Sequence, residues 1–155
     1  MGEAAGACCF AGPGRVPDKE VNRLAREIEA AVHGLAARGI VWFWAGGALG
    51  FDTLAAMTVL KMKEHMPALR LGLLLPGQDQ ADQWHAANRA VYNVIRSRAD
   101  AVEYLAQGVG AQSAAGQARA LAACSTVCVA WCPAGEPAPE LAEQARREGL
   151  EMILL

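Results

Sequence analysis

Ile40-Val41-Trp42-Phe43-Trp44-Ala45-Gly46-Gly47-Ala48-Leu49-Gly50-Phe51-Asp52-Thr53 is the stretch that decides how this chain is read. A short apolar run, Ile40 to Ala45, meets three glycines, Gly46, Gly47 and Gly50, and then a stretch from Thr53 to Met66 free of glycine and proline. That order predicts a strand, a tight loop and a helix. Glycines just before a helix N-terminus let backbone N–H groups converge without side-chain obstruction, where the helix dipole also favours negative charge. The spacing is not that of a Walker loop, which needs a Lys-Ser or Lys-Thr pair, nor the dinucleotide pattern Gly-x-Gly-x-x-Gly. Asp52 would repel a phosphate beside it, so its expected role is a helix cap or an acceptor for ribose hydroxyls. Two readings stay open here: a plain βα turn with Asp52 as its cap, and a ligand-binding turn.

Working outward, the same alternation repeats. Ala7 to Ala11 reads as a buried strand, and Gly12-Pro13-Gly14-Arg15-Val16-Pro17 is dense in turn signals. From a cap at Pro17-Asp18, Val21, Leu24, Ile28, Val32 and Leu35 recur at helical spacing up to Gly39, with Lys19, Arg23, Arg26 and Glu27 on the other side. Leu69 to Leu75 is a continuous apolar run, the mark of a strand buried on both faces, and Pro76 to Gln80 is its exit loop. Ala81 to Arg98 reads as a helix, Ala101 to Leu105 as a short strand, and Gly108 with Gly110 as a loop. Ser113 to Ala123 reads as a helix, Thr126 to Trp131 as a strand, Pro133 to Pro139 as a loop, Glu140 to Glu148 as a helix and Leu150 to Leu155 as a last strand. Connections too long for hairpins but right for crossovers predict an α/β, doubly wound, mostly parallel sheet of about six strands with helices on both faces. In such sheets ligands bind beyond the carboxyl ends of the strands, where these glycine-bearing loops gather.

Composition narrows the function classes. A chain of 155 residues suits a single domain, residues 1–155, with roughly two-thirds of its unfolded surface buried. Alanine is the largest single contributor to the 54% hydrophobic content, and no apolar run approaches the roughly 20 residues of a membrane span. No membrane partner is expected. A net charge of -2 with acids and bases interspersed shows no basic patch, so no nucleic-acid partner is expected either, and small ligands or proteins are. The first residues, Met-Gly-Glu-Ala-Ala-Gly-Ala, lack a basic segment and do not read as a secretory signal, which makes the cytoplasm the expected location and reduced thiols the expected state of the five cysteines.

Cys124, Cys128 and Cys132 are four apart, but on a strand Cys128 and Cys132 would lie about 13 Å apart at 3.3 Å per residue, too far for one ion. No metal site is expected, and the cysteines read as buried thiols. His33, His65 and His85 have no grouping spacing, with His33 and His65 expected at the surface. Trp42, Phe43 and Trp44 alternate faces of their strand and read as sheet-to-helix packing. Arg15 sits on a glycine-rich loop at the ligand end of the first strand, where a guanidinium could clamp a phosphate; a solvent-exposed arginine fits equally.

Taken together, Cys-Cys-Phe-Ala-Gly at Cys8 to Gly12, Gly-Ala-Leu-Gly-Phe-Asp at Gly47 to Asp52, Gln80-Ala81 with Trp84, Arg89 with Tyr92, Ala99-Asp100 and Arg147 to Glu151 resemble the SLOG superfamily of Rossmann-like proteins, and within it the YpsA-like branch. The resemblance spans nearly the whole chain and implies a nucleotide or nucleotide-derived, ADP-ribose-like ligand. The candidate binding residues, from the glycine loops at the ligand ends of the first two strands, are Gly12, Gly14, Arg15, Gly46, Gly47, Ala48, Leu49, Gly50 and Asp52. The chain departs from the family pattern at three places. The first loop lacks the histidine of Gly-His-Arg-Pro, Gly116-Gln117-Ala118-Arg119 stands where Arg-Asn is usual, and Glu136-Pro137-Ala138 replaces Gly-Gly-Thr. The function expected is ligand binding as a sensor or regulatory module. An alternative is hydrolysis of a nucleotide N-glycosidic bond, for which Asp52, Asp79 and Glu136 are the loop carboxylates and no catalytic residue is assigned. A divergent protein-interaction module with an idle pocket is a further alternative, and a homo-oligomer stays open.

Overall fold

The computed structural model describes residues 6–105 and 113–155. The readings of the first five residues and of the Gly108–Gly110 loop lie outside them. Strands β1 (Ala7–Ala11), β2 (Trp42–Ala45), β3 (Arg70–Leu75), β4 (Ala101–Tyr104), β5 (Val127–Ala130) and β6 (Glu151–Leu154) alternate with helices α1 (Asp18–Ala37), α2 (Phe51–Lys63), α3 (Ala86–Arg98), α4 (Ala114–Ala123) and α5 (Glu140–Arg147). The strands form one sheet in the order β4-β3-β2-β1-β5-β6, every pairing parallel. The expected α/β, Rossmann-like architecture is therefore present.

Side-chain chemistry accounts for the order. Cys8 to Ala11 and Val127 to Ala130 are buried at every position, so β1 and β5 must be covered on both faces and lie inside the sheet. Glu103, Tyr104, Glu151 and Leu154 are exposed, which suits the edge strands β4 and β6. One face carries a core of Leu24, Ile28, Phe43, Val59, Leu71 and Tyr92 beneath α1, α2 and α3. The other carries Cys9, Ala11, Leu121, Ala122, Cys128 and Ala142 beneath α4 and α5. Cys8 and Cys9 fall in different cores, as alternation along a strand requires.

Several sequence expectations shift by local physics. Asp18 does not cap α1; Pro17 holds that position without a side-chain bond, and Asp18 lies in the first turn, where the dipole favours it. Helix α3 starts at Ala86 and not Ala81, because residues 79–84 close on themselves in turns, Asp82 N–H donating to Asp79 O and Trp84 N–H to Ala81 O. Trp84 still reaches the core from that turn, edge-on to Tyr92 at 5.2 Å. Asp100 locks β3 to β4, accepting the Leu71 amide at 2.8 Å and pairing with Lys63. Burial pushes its carboxyl up, but the Lys63 ammonium and the Leu71 amide outweigh that and hold it below the usual carboxylate range.

Trp42 and Trp44 stack on one face of β2, centroids 5.6 Å apart. Gly72, paired with Trp44 across the ladder, makes room for the indole, since a Cβ there would stand 2.5 Å from the ring. Gly72→Ala should therefore displace Trp44 at a cost of about 1–3 kcal/mol. Near-ultraviolet circular dichroism and the melting temperature should both change, and a variant indistinguishable from the parent in both would refute the packing argument.

Candidate functional site at the switch in strand order

The chain leaves β1 towards α1 on one face and leaves β5 towards α5 on the other, so the strand order reverses between two neighbouring strands. A crevice must open there beyond their carboxyl ends. It is a cleft of about 830 Å³, with Gly14, Arg15 and Lys19 on the β1 side and Trp131, Pro133 and Glu136 on the β5 side. That volume falls within the range of small-molecule sites. Arg23 also lines it but is committed to Glu20 at 2.9 Å and Glu27 at 2.6 Å. Arg15 and Lys19 form no ion pair among the described residues, so two uncommitted cations stand on one wall, with the Glu136 carboxylate opposite.

The glycine loop between β2 and α2 has a different local logic. Gly50 adopts φ +81°, and a Cβ on it would stand 2.3 Å from the Gly14 carbonyl carbon and 2.6 Å from the Arg15 nitrogen. The first amide of α2, Phe51 N–H, donates to Pro13 O at 3.0 Å. Gly12 in turn admits the Phe51 ring, which lies 2.2 Å from where its Cβ would be. These contacts weld the β2–α2 loop to the β1–α1 loop and fix where Arg15 stands. Gly47 packs against Leu75, and Gly46 is buried between Gln117 and Asp52.

Asp52 is not the N-cap of α2, a position held by Gly50; it lies in the first turn and its carboxylate reaches back to accept the Ala48 amide at 3.2 Å. Burial raises its pKa from the usual carboxylate value to about 7, against the Ala48 and Gly46 amides, which lower it. It lines a separate pocket of about 150 Å³ with Gly12, Ala48, Gln117, Leu121 and Glu140. A third hollow of about 450 Å³, between α1, α2 and the start of α3, takes in Leu49 and Gly50 and shares Gly14 and Arg15 with the large cleft.

The expected site residues are thus divided. Gly14 and Arg15 line the switch-point cleft, Gly12, Ala48 and Asp52 the small pocket, and Leu49 and Gly50 the third hollow, while Gly46 and Gly47 line none of the three. The loop carboxylates are not gathered either: Glu136 lines the cleft, Asp52 the small pocket, and Asp79 neither. Sequence reasoning missed Lys19, read as part of the solvent side of α1, and Trp131, read only as the end of a strand. Gln117, noted in the sequence only as part of a departure from the family pattern, donates its amide to Gly46 O at 2.9 Å and Leu74 O at 3.0 Å, stitching α4 to the glycine loop.

Among the cysteines, Cys8, Cys9 and Cys128 are buried, but Cys124 is exposed, contrary to expectation, because it follows the last residue of α4. Among the described residues, no three His, Cys, Asp or Glu side chains group as metal ligands. His33 and His65, which sequence spacing did not group, are brought to one pocket of about 200 Å³ by α1 and α2. No described helix is long and apolar enough to cross a membrane.

Known proteins resemble this chain in sequence and in fold. UPF0398 proteins of Halalkalibacterium halodurans and Staphylococcus saprophyticus are 32% and 34% identical over 83 and 84 residues, each 54% of this chain. The matches take in 44% and 45% of those relatives, so the chain spans less than half the length of the curated proteins it matches. The fold resembles that of DNA processing protein A from Helicobacter pylori, which has a single-stranded DNA binding mode, with a TM-score of 0.52, 15% identity, and coverage of 94% of this chain and 74% of that one. That neighbour overturns the expectation that composition excludes a nucleic-acid partner. The same architecture serves a DNA-binding protein, and a net charge of -2 sums the whole chain without reporting the sign of one face, such as the wall bearing Arg15 and Lys19. A family model described as YspA SLOG family matches residues 15–117, and the chain belongs to that family.

Proposed function

We propose that the protein is a cytoplasmic sensor or regulatory module that binds a phosphate-bearing nucleotide or nucleotide-derived ligand in the cleft between β1 and β5. The observation that carries this reading is the pair of uncommitted cations, Arg15 and Lys19, on the wall of a cleft at the switch in strand order. A guanidinium offers paired donors to phosphate oxygens, and a nearby ammonium adds charge without fixed geometry. Membership of the YspA SLOG family supports the same ligand class. A hydrolase draws less support from this geometry, because Asp52 and Glu136 line separate cavities.

Titration calorimetry with nucleoside monophosphates tests the proposal. Arg15→Ala should weaken binding by roughly 10- to 100-fold, the worth of a charge-assisted hydrogen bond, and the loss should shrink as salt rises. Absence of heat and of thermal stabilisation across a nucleotide panel would remove the reading. A second reading, binding of single-stranded nucleic acid, is favoured by the fold neighbour. Fluorescence anisotropy separates the two: affinity that climbs with oligonucleotide length indicates a strand, whereas affinity already reached with a mononucleotide indicates a free ligand.

A further inference from the structure

The Gly14-Arg15 segment is a ridge with a cavity on either side. On one side lies the cationic cleft of about 830 Å³; on the other lies the hollow of about 450 Å³, whose walls are Val16, Val21, Leu49, Leu54 and Met57. Val16 and Leu54 pack on the core and give the hollow a fixed floor. Met57 is 40% exposed, an uncovered thioether in the middle of α2. Of the polar side chains lining the hollow besides Arg15, the Thr53 hydroxyl is engaged with Ala48 O at 3.0 Å, while Asn88 is exposed and makes no hydrogen bond among the described residues. An apolar hollow with one uncommitted amide, separated by a single arginine from a cationic cleft, matches a molecule whose charged and flat aromatic parts are joined by a short linker.

From this juxtaposition we infer that the hollow lined by Leu49, Met57 and Asn88 is the subsite for the heterocyclic base of the ligand, with Arg15 serving both cavities. The inference rests on the nucleotide reading above and deepens it. A base brings an apolar ring face and a hydrogen-bonding edge. Leu49 and the polarisable Met57 sulfur suit the face, and the Asn88 amide, one donor group beside one acceptor, suits the edge. The Arg15 guanidinium can hold a phosphate with its N–H groups while its plane lies against the ring. The Gly50–Gly14 contact keeps the ridge rigid, so both subsites hold their spacing before the ligand arrives.

Three probes separate the parts: inorganic phosphate, ribose 5-phosphate and adenosine 5′-monophosphate, each titrated calorimetrically into the full chain. The parent should bind the nucleotide at least about tenfold more tightly than ribose 5-phosphate, the increment expected of one well-seated base. Met57→Gln and Asn88→Ala, both on exposed helix positions, should each shrink that ratio to about threefold or less and leave ribose 5-phosphate within twofold of the parent. Equal affinity for nucleotide and sugar phosphate overturns the base subsite while leaving phosphate binding in the cleft intact. A ratio of tenfold that survives both substitutions places the base elsewhere and overturns it too. Failure of all three probes to bind removes the nucleotide reading along with the subsite.

Discussion

Replacing Gly50 by alanine should cost at least about 3 kcal/mol of stability and lower the melting temperature by roughly 6–12 °C for a chain of this size. Two effects act together. The backbone at Gly50, φ +81° and ψ -122°, lies in a region that residues with a Cβ scarcely enter. The new methyl would also meet atoms that cannot swing away, because Gly14 C, Gly14 O and Arg15 N at 2.3–2.6 Å are all backbone. Relief requires the β1–α1 and β2–α2 loops to part, breaking the Phe51-to-Pro13 bond and moving Arg15 relative to both of its cavities. Nucleotide affinity should therefore fall in Gly50→Ala as far as in Arg15→Ala even where the protein is still folded. Gly14→Ala is the control: a Cβ there meets nothing within 4 Å, and the change should stay within about 0.5 kcal/mol. If Gly50→Ala melts with the parent, the loops are not welded as described.

The contrast between Gly50 and Gly14 shows what the sequence could and could not reveal. Element type was legible because each element answers to its own neighbours: the short apolar run at Leu69 to Leu75, stopped by Pro76-Gly77, reads as an inner parallel strand, and the spacing of Leu24, Ile28, Val32 and Leu35 reads as a helix stripe. Strand order was not, since it depends on pairings between residues more than 100 positions apart, such as Cys9 with Cys128. The glycine loop was legible as a tight turn, but the partners that make glycine necessary there stand far off in sequence, Gly14 for Gly50 and Leu75 for Gly47. A glycine cluster before a helix therefore looks the same whether it cradles an anion or admits another backbone. Arg15 could be picked out because its loop follows a strand. Lys19 could not, since one turn into an amphipathic helix a lysine reads as solvent-facing, and only the crevice between β1 and β5 makes it part of a wall. Whole-chain charge failed for the related reason that a sum has no location.

Asp52→Asn should stabilise the protein at pH 8 by as much as about 3–4 kcal/mol relative to its effect at pH 4, following from a native pKa of about 7 set by burial. The sign follows from where the proton sits. Below about pH 4 both folded and unfolded chains hold it, and the carboxyl costs nothing. Between about pH 4 and 7 the unfolded chain has released it while the folded chain retains it, so parent stability falls as pH rises through this window and levels off above it. Asparagine keeps an oxygen for the Ala48 amide and has no proton to lose, so the variant lacks that decline. Urea denaturation of both proteins across pH 4 to 8 gives the difference directly, and a difference that is flat with pH would rule out the raised pKa. The protonation state also bears on the ligand. A carboxyl largely protonated below pH 7 and largely ionised above it changes the charge beside the glycine loop, but Asp52 lines a pocket separate from the phosphate cleft of Arg15 and Lys19. With the phosphate in that cleft, nucleotide affinity should change no more between pH 6 and 8 in the parent than in Asp52→Asn, and a loss above pH 7 in the parent alone would put the phosphate at the glycine loop instead. The same substitution separates binding from hydrolysis, because a carboxyl poised near neutrality is also what a general acid requires. Retained nucleotide binding in Asp52→Asn, with no free base released by either protein, would leave the carboxyl as a loop anchor; release by the parent alone would make it a catalytic acid.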